Sequence, residues 1–399
     1  MRILYINTVF GNGSTGKIIC DTARLLLENG HTVKVVYGVN TNHQTVPYET
    51  VCVQTKAEYY FHNALSRITD HAGQYSARAT RRLIYEVEKF QPDIIHLHTL
   101  HGYYVNYRIL FEYLRQAGIA VVWTHHDCWA FTGHCTHYSQ IGCTQWQTQC
   151  EKCRLVHRYP KCYLRGDVKN NYIQKKKAFC GIDRLTITTP SEWLEKQIGA
   201  SFLKEYTRIV VPNGVDTAVF RPRQSAIRKQ YQLEYKKVVL GVANVWNERK
   251  GIADMIALSA RLEEPYKVVL IGLSDKQLSE LPSNILGIRR TANQTELAEW
   301  YSTADVFVNP TYEETFGMTN IEAQACGTPV VVYRTDGCPE TIMDGNGLVI
   351  SQGDLDELAK AVVRKSAEGK VSNLESINQF ELHNAYGRYL DLYEQLIQQ

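Results

Sequence analysis

The sequence has no run of the roughly 18 to 20 consecutive apolar residues that a membrane-spanning helix needs, so its 44% hydrophobic content must serve soluble cores. It also has little net charge, +3 over 399 residues, which argues against nucleic acid as a partner, since such binders carry a strongly basic stripe. Short-period repeats and low-complexity segments are missing, which excludes solenoids and disordered arrays. The opening residues, Met1-Arg2-Ile3-Leu4-Tyr5-Ile6-Asn7, read as a buried strand. They lack the longer apolar region and small-residue cleavage site of a signal peptide, so the expected location is cytoplasmic.

What is present is length enough for two domains and a regular pattern. Short β-branched runs alternate with amphipathic helix-length segments, the signature of an α/β fold with parallel sheets covered by helices. Strands are expected at 3–7, 32–37, 94–98, 120–124, 185–188 and 209–211. After the turn Pro212-Asn213-Gly214-Val215-Asp216 the pattern restarts at 237–242 and continues at 267–271, 306–309, 330–333 and 348–350. The expected division is 1–215, 216–380 and a C-terminal helix, 381–399, that packs back on the first domain. Two doubly wound domains would bind ligands at strand C-termini, facing a cleft.

Gly11-Asn12-Gly13-Ser14-Thr15-Gly16-Lys17 follows the first strand and opens a helix, matching G-x-x-x-x-G-K. Ile18 stands where a P-loop needs Ser or Thr for magnesium, so an ATPase is disfavoured. The turn still reads either as an anion site at a helix N-terminus or as a plain strand-to-helix turn.

Glu314 and Glu322 are eight residues apart after a strand ending in Asn309-Pro310. With a helix beginning near Gly317, both carboxylates reach its N-terminal end, where free N–H groups suit a diphosphate and carboxylates accept from sugar hydroxyls. The segment, followed by Ala325-Cys326-Gly327-Thr328-Pro329, resembles the E-x7-E signature of glycosyltransferase family 4, retaining enzymes with the GT-B fold. The likeness extends through the Gly-rich turn, Pro92-Asp93-Ile94-Ile95-His96-Leu97-His98, Trp123-Thr124-His125-His126-Asp127, Pro212 to Asp216 and Arg249-Lys250-Gly251.

The resemblance implies transfer of a hexosyl or N-acetylhexosaminyl group from a UDP- or GDP-sugar to a glycan or lipid-linked glycan, without a catalytic metal. It makes Glu322 the ribose ligand, Glu314 a contact of the transferred sugar and Lys250 the cation at the diphosphate. Backbone groups of Phe316, Gly317, Met318 and Thr319 would hold sugar or phosphate. Gly13, Ser14, Thr15 and Gly16 would approach the diphosphate from the first domain, and His126 would lie near the reacting sugar. Many members carry Arg where this chain has Asn244, which leaves Arg249 as a substitute charge. His96 and His98, alternating on a strand, read as structural.

Six of the eleven cysteines crowd into an insertion at about 128–162. Cys135, Cys143, Cys150 and Cys153 read as a structural zinc site or as reduced buried thiols, with His134, His137 and Cys162 as substitute ligands. A segment with Thr132-Gly133-His134-Cys135, Trp146 and Cys150 to Cys153 is similar to one in family 4 enzymes that build bacterial surface polysaccharide such as O-antigen, capsule or exopolysaccharide. Basic residues at Arg81-Arg82 and Lys175-Lys176-Lys177 read as a contact with the inner face of the cytoplasmic membrane or as solvated helix faces. Competing functions are a GT-B nucleotide-sugar epimerase or sugar phosphorylase and, from another class, a zinc-stabilised nucleic-acid-binding module.

Overall fold

The structure, a computed structural model, describes residues 1–39, 45–371 and 373–398. The chain forms two compact units, Met1–Pro212 with Tyr386–Gln399, and Asn213–Ala385.

The first unit runs β1 (Arg2–Val9), α1 (Gly13–Glu28), β2 (Thr32–Val39), β3 (Glu49–Cys52), α2 (Lys56–Thr69), α3 (Ala77–Phe90), β4 (Ile94–Leu97), α4 (Tyr107–Ala117), β5 (Ala120–Thr124), α5 (Val168–Phe179), β6 (Leu185–Thr189), α6 (Glu192–Gly199) and β7 (Thr207–Val210). The second runs α7 (Ile227–Gln230), β8 (Lys237–Val242), α8 (Ile252–Arg261), β9 (Tyr266–Ile271), α9 (Asp275–Glu280), β10 (Ile285–Ile288), α10 (Gln294–Thr303), β11 (Val306–Asn309), α11 (Met318–Ala325), β12 (Val330–Tyr333), β13 (Gly347–Ile350) and α12 (Leu355–Glu368). Helix α13 (Leu382–Gln398) starts in the second unit and belongs to the first from Tyr386 onward.

Every paired strand is parallel. The sheet orders are β3-β2-β1-β4-β5-β6-β7 and β10-β9-β8-β11-β12-β13, the doubly wound arrangement expected from the alternating pattern. Parallel strands are buried on both faces, which is why Ile3, Leu4, Tyr5 and Ile6 of β1 are all inaccessible. The short edge strands β3 and β10, both mostly half-exposed, were not anticipated. Strand order reverses between β1 and β4 and between β8 and β11, so each unit's crevice for a ligand lies beyond the C-terminal ends of those strands.

Local chemistry sets the helix ends. Thr55 and Glu58 form a reciprocal capping box on α2, and the Asn106 side chain accepts from two backbone N–H groups at the start of α4. Among the described residues no helix is long and apolar enough to cross a membrane.

Candidate active site

In the second unit the segments after β8 and β11 are stitched together. Arg249 and Lys250 lie in a single 3-10 turn, Glu248–Lys250, capped by Asn247, whose side chain accepts from the Lys250 N–H at 3.1 Å. The Arg249 carbonyl accepts from the Tyr312 N–H at 2.8 Å and the Thr311 hydroxyl at 3.2 Å. Its guanidinium donates to the Glu313 carbonyl at 2.8 Å. Arg249 therefore braces the loop through its carbonyl and one guanidinium N–H. Asn244 is exposed. Gly251 has φ +71°, and a Cβ there would stand 2.1 Å from the Pro310 carbonyl oxygen, so only glycine lets the two segments approach this closely.

This approach brings Lys250 and Glu314 into an ion pair, with both side chains about four-fifths buried. Glu314 is fixed further by its N–H, which donates to Asp336 at 3.0 Å, and by its carbonyl, which accepts from the Gly337 N–H at 3.1 Å. Gly317 at φ +96° turns the chain into α11, as expected. Phe316 is buried, with its ring centroid 5.9 Å from that of Phe380, and Met318 and Thr319 are half-buried in the first turn. Glu322 lies one turn further along, and its carboxylate accepts from the Tyr301 hydroxyl of α10 at 3.0 Å. Asn320 joins β11 to this helix, accepting from Asn309 at 2.8 Å and donating to Thr341 at 2.9 Å.

In the first unit, Gly13 opens α1 at φ +65°, with Ser14 and Thr15 following at its start. A Cβ on Gly16 would lie 3.1 Å from the Gly11 nitrogen, so the helix packs tightly on the turn. Asn7, at the end of β1, donates to the Val9 carbonyl at 2.8 Å and accepts from the Thr99 N–H at 3.2 Å, which ties this turn to the loop after β4.

Beyond β5 stands a histidine cluster. His126 lies 2.9 Å from His98, nitrogen to nitrogen. Nε2 of His101 lies 2.7 Å from Asp127, and its Nδ1 lies 3.0 Å from the Tyr159 hydroxyl. Burial lowers His125 to about 3 and His126 to about 4, although Asp127 pulls both upward, and it pushes His96 and His98 well below the usual histidine range. Burial alone would raise Asp127, but His101 outweighs it and holds the carboxyl well below the carboxylate range. Beneath the cluster, His96 lies 2.6 Å from both Tyr393 and Thr124, and Thr124 lies 3.0 Å from Tyr389, so α13 underpins the ends of β4 and β5.

Two expectations are corrected. Cys135, Cys143, Cys150 and Cys153 line one small cavity, but among the described residues no group of three or more His, Cys, Asp or Glu is placed to hold a metal ion. Local bonds take up three of the four sulfurs instead. Cys135 donates to Cys153, holding the latter thiol down at about 6, while Gly133 and Leu155 donate backbone N–H groups to Cys150 and Cys153, each at 3.3 Å. None of the eleven cysteines is in a disulfide. His134 is committed to Asp70, and Cys162 is buried apart against the Ile68 carbonyl. The basic run also divides: Lys175 is buried under the cysteine-rich segment, donating to the Trp129 and Thr132 carbonyls and lying 3.7 Å from the Trp129 ring centroid. Burial pushes it down to about 7, so Lys175 faces no membrane. Arg82 pairs with Glu58.

Tyr301, Asp336, His101 and Asp127 are site neighbours to which no role was given from sequence. His101, Asp127 and Asp336 had a signal, since each follows a strand C-terminus, and Tyr301 had none.

Comparisons with known proteins agree with this geometry. The family described as Glycosyltransferase Family 4 matches residues 15–219, and the one described as Glycosyl transferases group 1 matches residues 236–367. A D-inositol 3-phosphate glycosyltransferase of Arthrobacter sp. (strain FB24) is 33% identical over 187 residues, 43% of this chain and 44% of that protein. The chain thus spans less than half the length of that relative. WcaC of Escherichia coli (strain K12), a candidate colanic acid biosynthesis glycosyl transferase, is 21% identical over 379 residues, 90% of each chain. Among solved structures, sucrose-phosphate synthase (tll1590) from Thermosynechococcus elongatus superposes with a TM-score of 0.74 at 18% identity, covering 99% of both chains. Anabaena Alr3699/HepE in complex with UDP-glucose superposes with a TM-score of 0.66 at 15% identity, covering 99% of this chain and 100% of that one. These two likenesses establish the fold.

Proposed function

The chain belongs to Glycosyltransferase Family 4, and on that footing we propose that it transfers a sugar from a nucleotide-sugar donor to a hydroxyl of a glycan or lipid-linked glycan, with retention at the anomeric carbon. The observation that carries this reading is the carboxylate pair at the start of α11, with Glu314 paired to Lys250 and Glu322 bonded by Tyr301, beyond the point where the second sheet reverses.

Transfer needs stabilisation of a departing diphosphate while positive charge grows at the anomeric carbon. Lys250 supplies a fixed cation and the α11 N-terminus supplies backbone N–H groups from Phe316 to Thr319. Glu322, held by Tyr301, accepts from the ribose hydroxyls. Glu314 contacts the sugar being transferred, and His126 is the first unit's group at that sugar. Gly13 to Gly16 is the first unit's anion-binding turn. The acceptor proton passes to the leaving phosphate oxygen, so no protein base is required.

The similarity to WcaC supports surface polysaccharide as the product class. A contact with anionic lipid is supported by α2, whose Tyr60, Phe61 and Ile68 are more than half exposed along one face, beside the equally exposed Tyr163 and Leu164. Lys161 lies 4.9 Å from the centre of the Tyr163 ring and Arg67 donates to its hydroxyl at 2.7 Å, so cations flank the apolar patch. This surface joins the exposed Arg81, Lys176 and Lys177 as the proposed membrane contact, from which buried Lys175 is withdrawn.

A panel of UDP- and GDP-sugars tested for thermal stabilisation examines the reading directly, because a ligand bound only by the folded state raises the melting temperature. At least one donor should stabilise the protein, and Glu322→Ala should abolish the shift. A folded sample that responds to no nucleotide sugar would sink the reading.

A further inference from the structure

His98 and His126 form a direct imidazole pair in the first unit. Nδ1 of His98 lies 2.9 Å from Nε2 of His126, and the rings are 12° from parallel with centroids 5.2 Å apart. On its other side His98 stacks on His96 at 4.3 Å, and the Tyr5 ring closes over it at 5.7 Å. His98 is 1% exposed, and its Nε2 is enclosed with no hydrogen-bond partner among the described residues.

That enclosure decides where the protons sit. Burial keeps both rings neutral at pH 7, so each carries one proton, on Nδ1 or on Nε2. A proton on Nε2 of His98 would be a buried N–H with no acceptor, a rare and costly arrangement in folded proteins. A bare lone pair at the same place costs less. The His98 proton therefore sits on Nδ1 and is donated to Nε2 of His126, which obliges His126 to carry its own proton on Nδ1.

From this geometry we propose that His98 is a positioning residue that fixes His126 as an Nδ1–H donor, so that His126 offers a hydrogen bond to an oxygen of the transferred sugar and cannot act as a base through Nε2. The inference rests on the role given to His126 above. It changes His98 from the structural residue that strand alternation suggested into part of the site. His96 supports the stack from below, held at 2.6 Å from both Tyr393 and Thr124.

Nitrogen NMR of protein labelled with 15N-histidine reads the tautomer, with the His126 signals identified by their loss in His126→Asn. The expected spectrum has a protonated Nδ1 and an unprotonated, hydrogen-bonded Nε2. In His98→Leu the balance should move toward the Nε2–H form. Hydrolysis of the stabilising UDP- or GDP-sugar without acceptor should then fall about tenfold to a hundredfold, as when an orienting partner is lost, with the donor-induced melting shift retained. An Nε2–H tautomer in the wild-type spectrum overturns the proposal even if His98→Leu does not fold. So does a folded His98→Leu with unchanged tautomer and turnover. Failure of every nucleotide sugar to bind would reject the glycosyl-transfer reading instead, while the spectrum would still decide the pairing.

Discussion

Tyr301 is fully buried and gives its hydroxyl hydrogen to Glu322 across 3.0 Å, so a residue of α10 orients a carboxylate of α11. Burial and the neighbouring carboxylate push the tyrosine well above its usual range, so it stays a donor at any working pH. Tyr301→Phe removes one hydrogen bond and leaves the ring's packing. Donor affinity should weaken about threefold to tenfold, the loss of about 0.5 to 1.5 kcal/mol. Calorimetric titration with the stabilising nucleotide sugar measures it, and an unchanged Kd would remove Glu322 from the ribose position.

Lys250 has a different job, and its removal should act on charge. Lys250→Met leaves Glu314 without its counter-ion and takes the fixed cation from the diphosphate, so binding should fall by about 1.5 to 3 kcal/mol, the range for hydrogen bonds to charged groups. The parent nucleoside diphosphate should lose nearly as much as the full donor. A loss confined to the sugar-bearing donor would place Lys250 at the sugar and not at the phosphates.

Acid should destabilise the first unit before its carboxylates titrate. His62 is buried, with Nε2 accepting from the Gly73 N–H and Nδ1 lying 2.7 Å from the Ser76 hydroxyl, and burial lowers it from 6.5 to about 3. Between those values the unfolded chain binds a proton that the folded chain refuses, so stability rises with pH through this window and is lost as pH falls below 6.5. The group accounts for about 2 kcal/mol of loss between pH 7 and pH 5. His125, lowered to about 3, and His126, lowered to about 4, act in the same direction. In urea denaturation across this range, His62→Gln should show a shallower pH dependence than the wild type, since the amide oxygen can accept from Gly73 but takes up no proton.

The exposed face of α2 predicts lipid dependence. Phe61→Ser should weaken sedimentation with vesicles containing anionic phosphatidylglycerol and leave the donor-induced melting shift intact, because Phe61 is 65% exposed and contributes little to the core. Equal sedimentation of both proteins would exclude α2 as the contact.

The parallel sheets were legible because their central strands are continuous β-branched runs bounded by turns. Two of the four edge strands, β3 and β10, were not: each is only four residues long and mostly half-exposed, so neither shows the continuous buried run of a central strand. At the candidate site the spacing of Glu314 and Glu322 could be read, because both belong to one strand-to-helix turn. The contacts that orient them could not. Tyr301 precedes Glu322 by 21 residues and meets it only because α10 packs beside α11. Lys175 shows the opposite failure: three successive lysines look alike in sequence, but the helix turns one inward under Trp129. Cysteine spacing left a shared metal and reduced thiols both open; in the folded loop a neighbouring thiol and backbone N–H groups bond the sulfurs of Cys135, Cys150 and Cys153.

The hydroxyls of Tyr389 and Tyr393 beneath Thr124 and His96 impose an order on biosynthesis. A ribosome delivers β4 and β5 long before α13, yet the histidine cluster stands on side chains of that later helix. The first unit can collapse around its strands during translation, but its imidazole stack acquires a floor only after the whole second unit has been made. A nascent chain arrested at Ala385 would carry both sheets and lack an ordered His98–His126 pair.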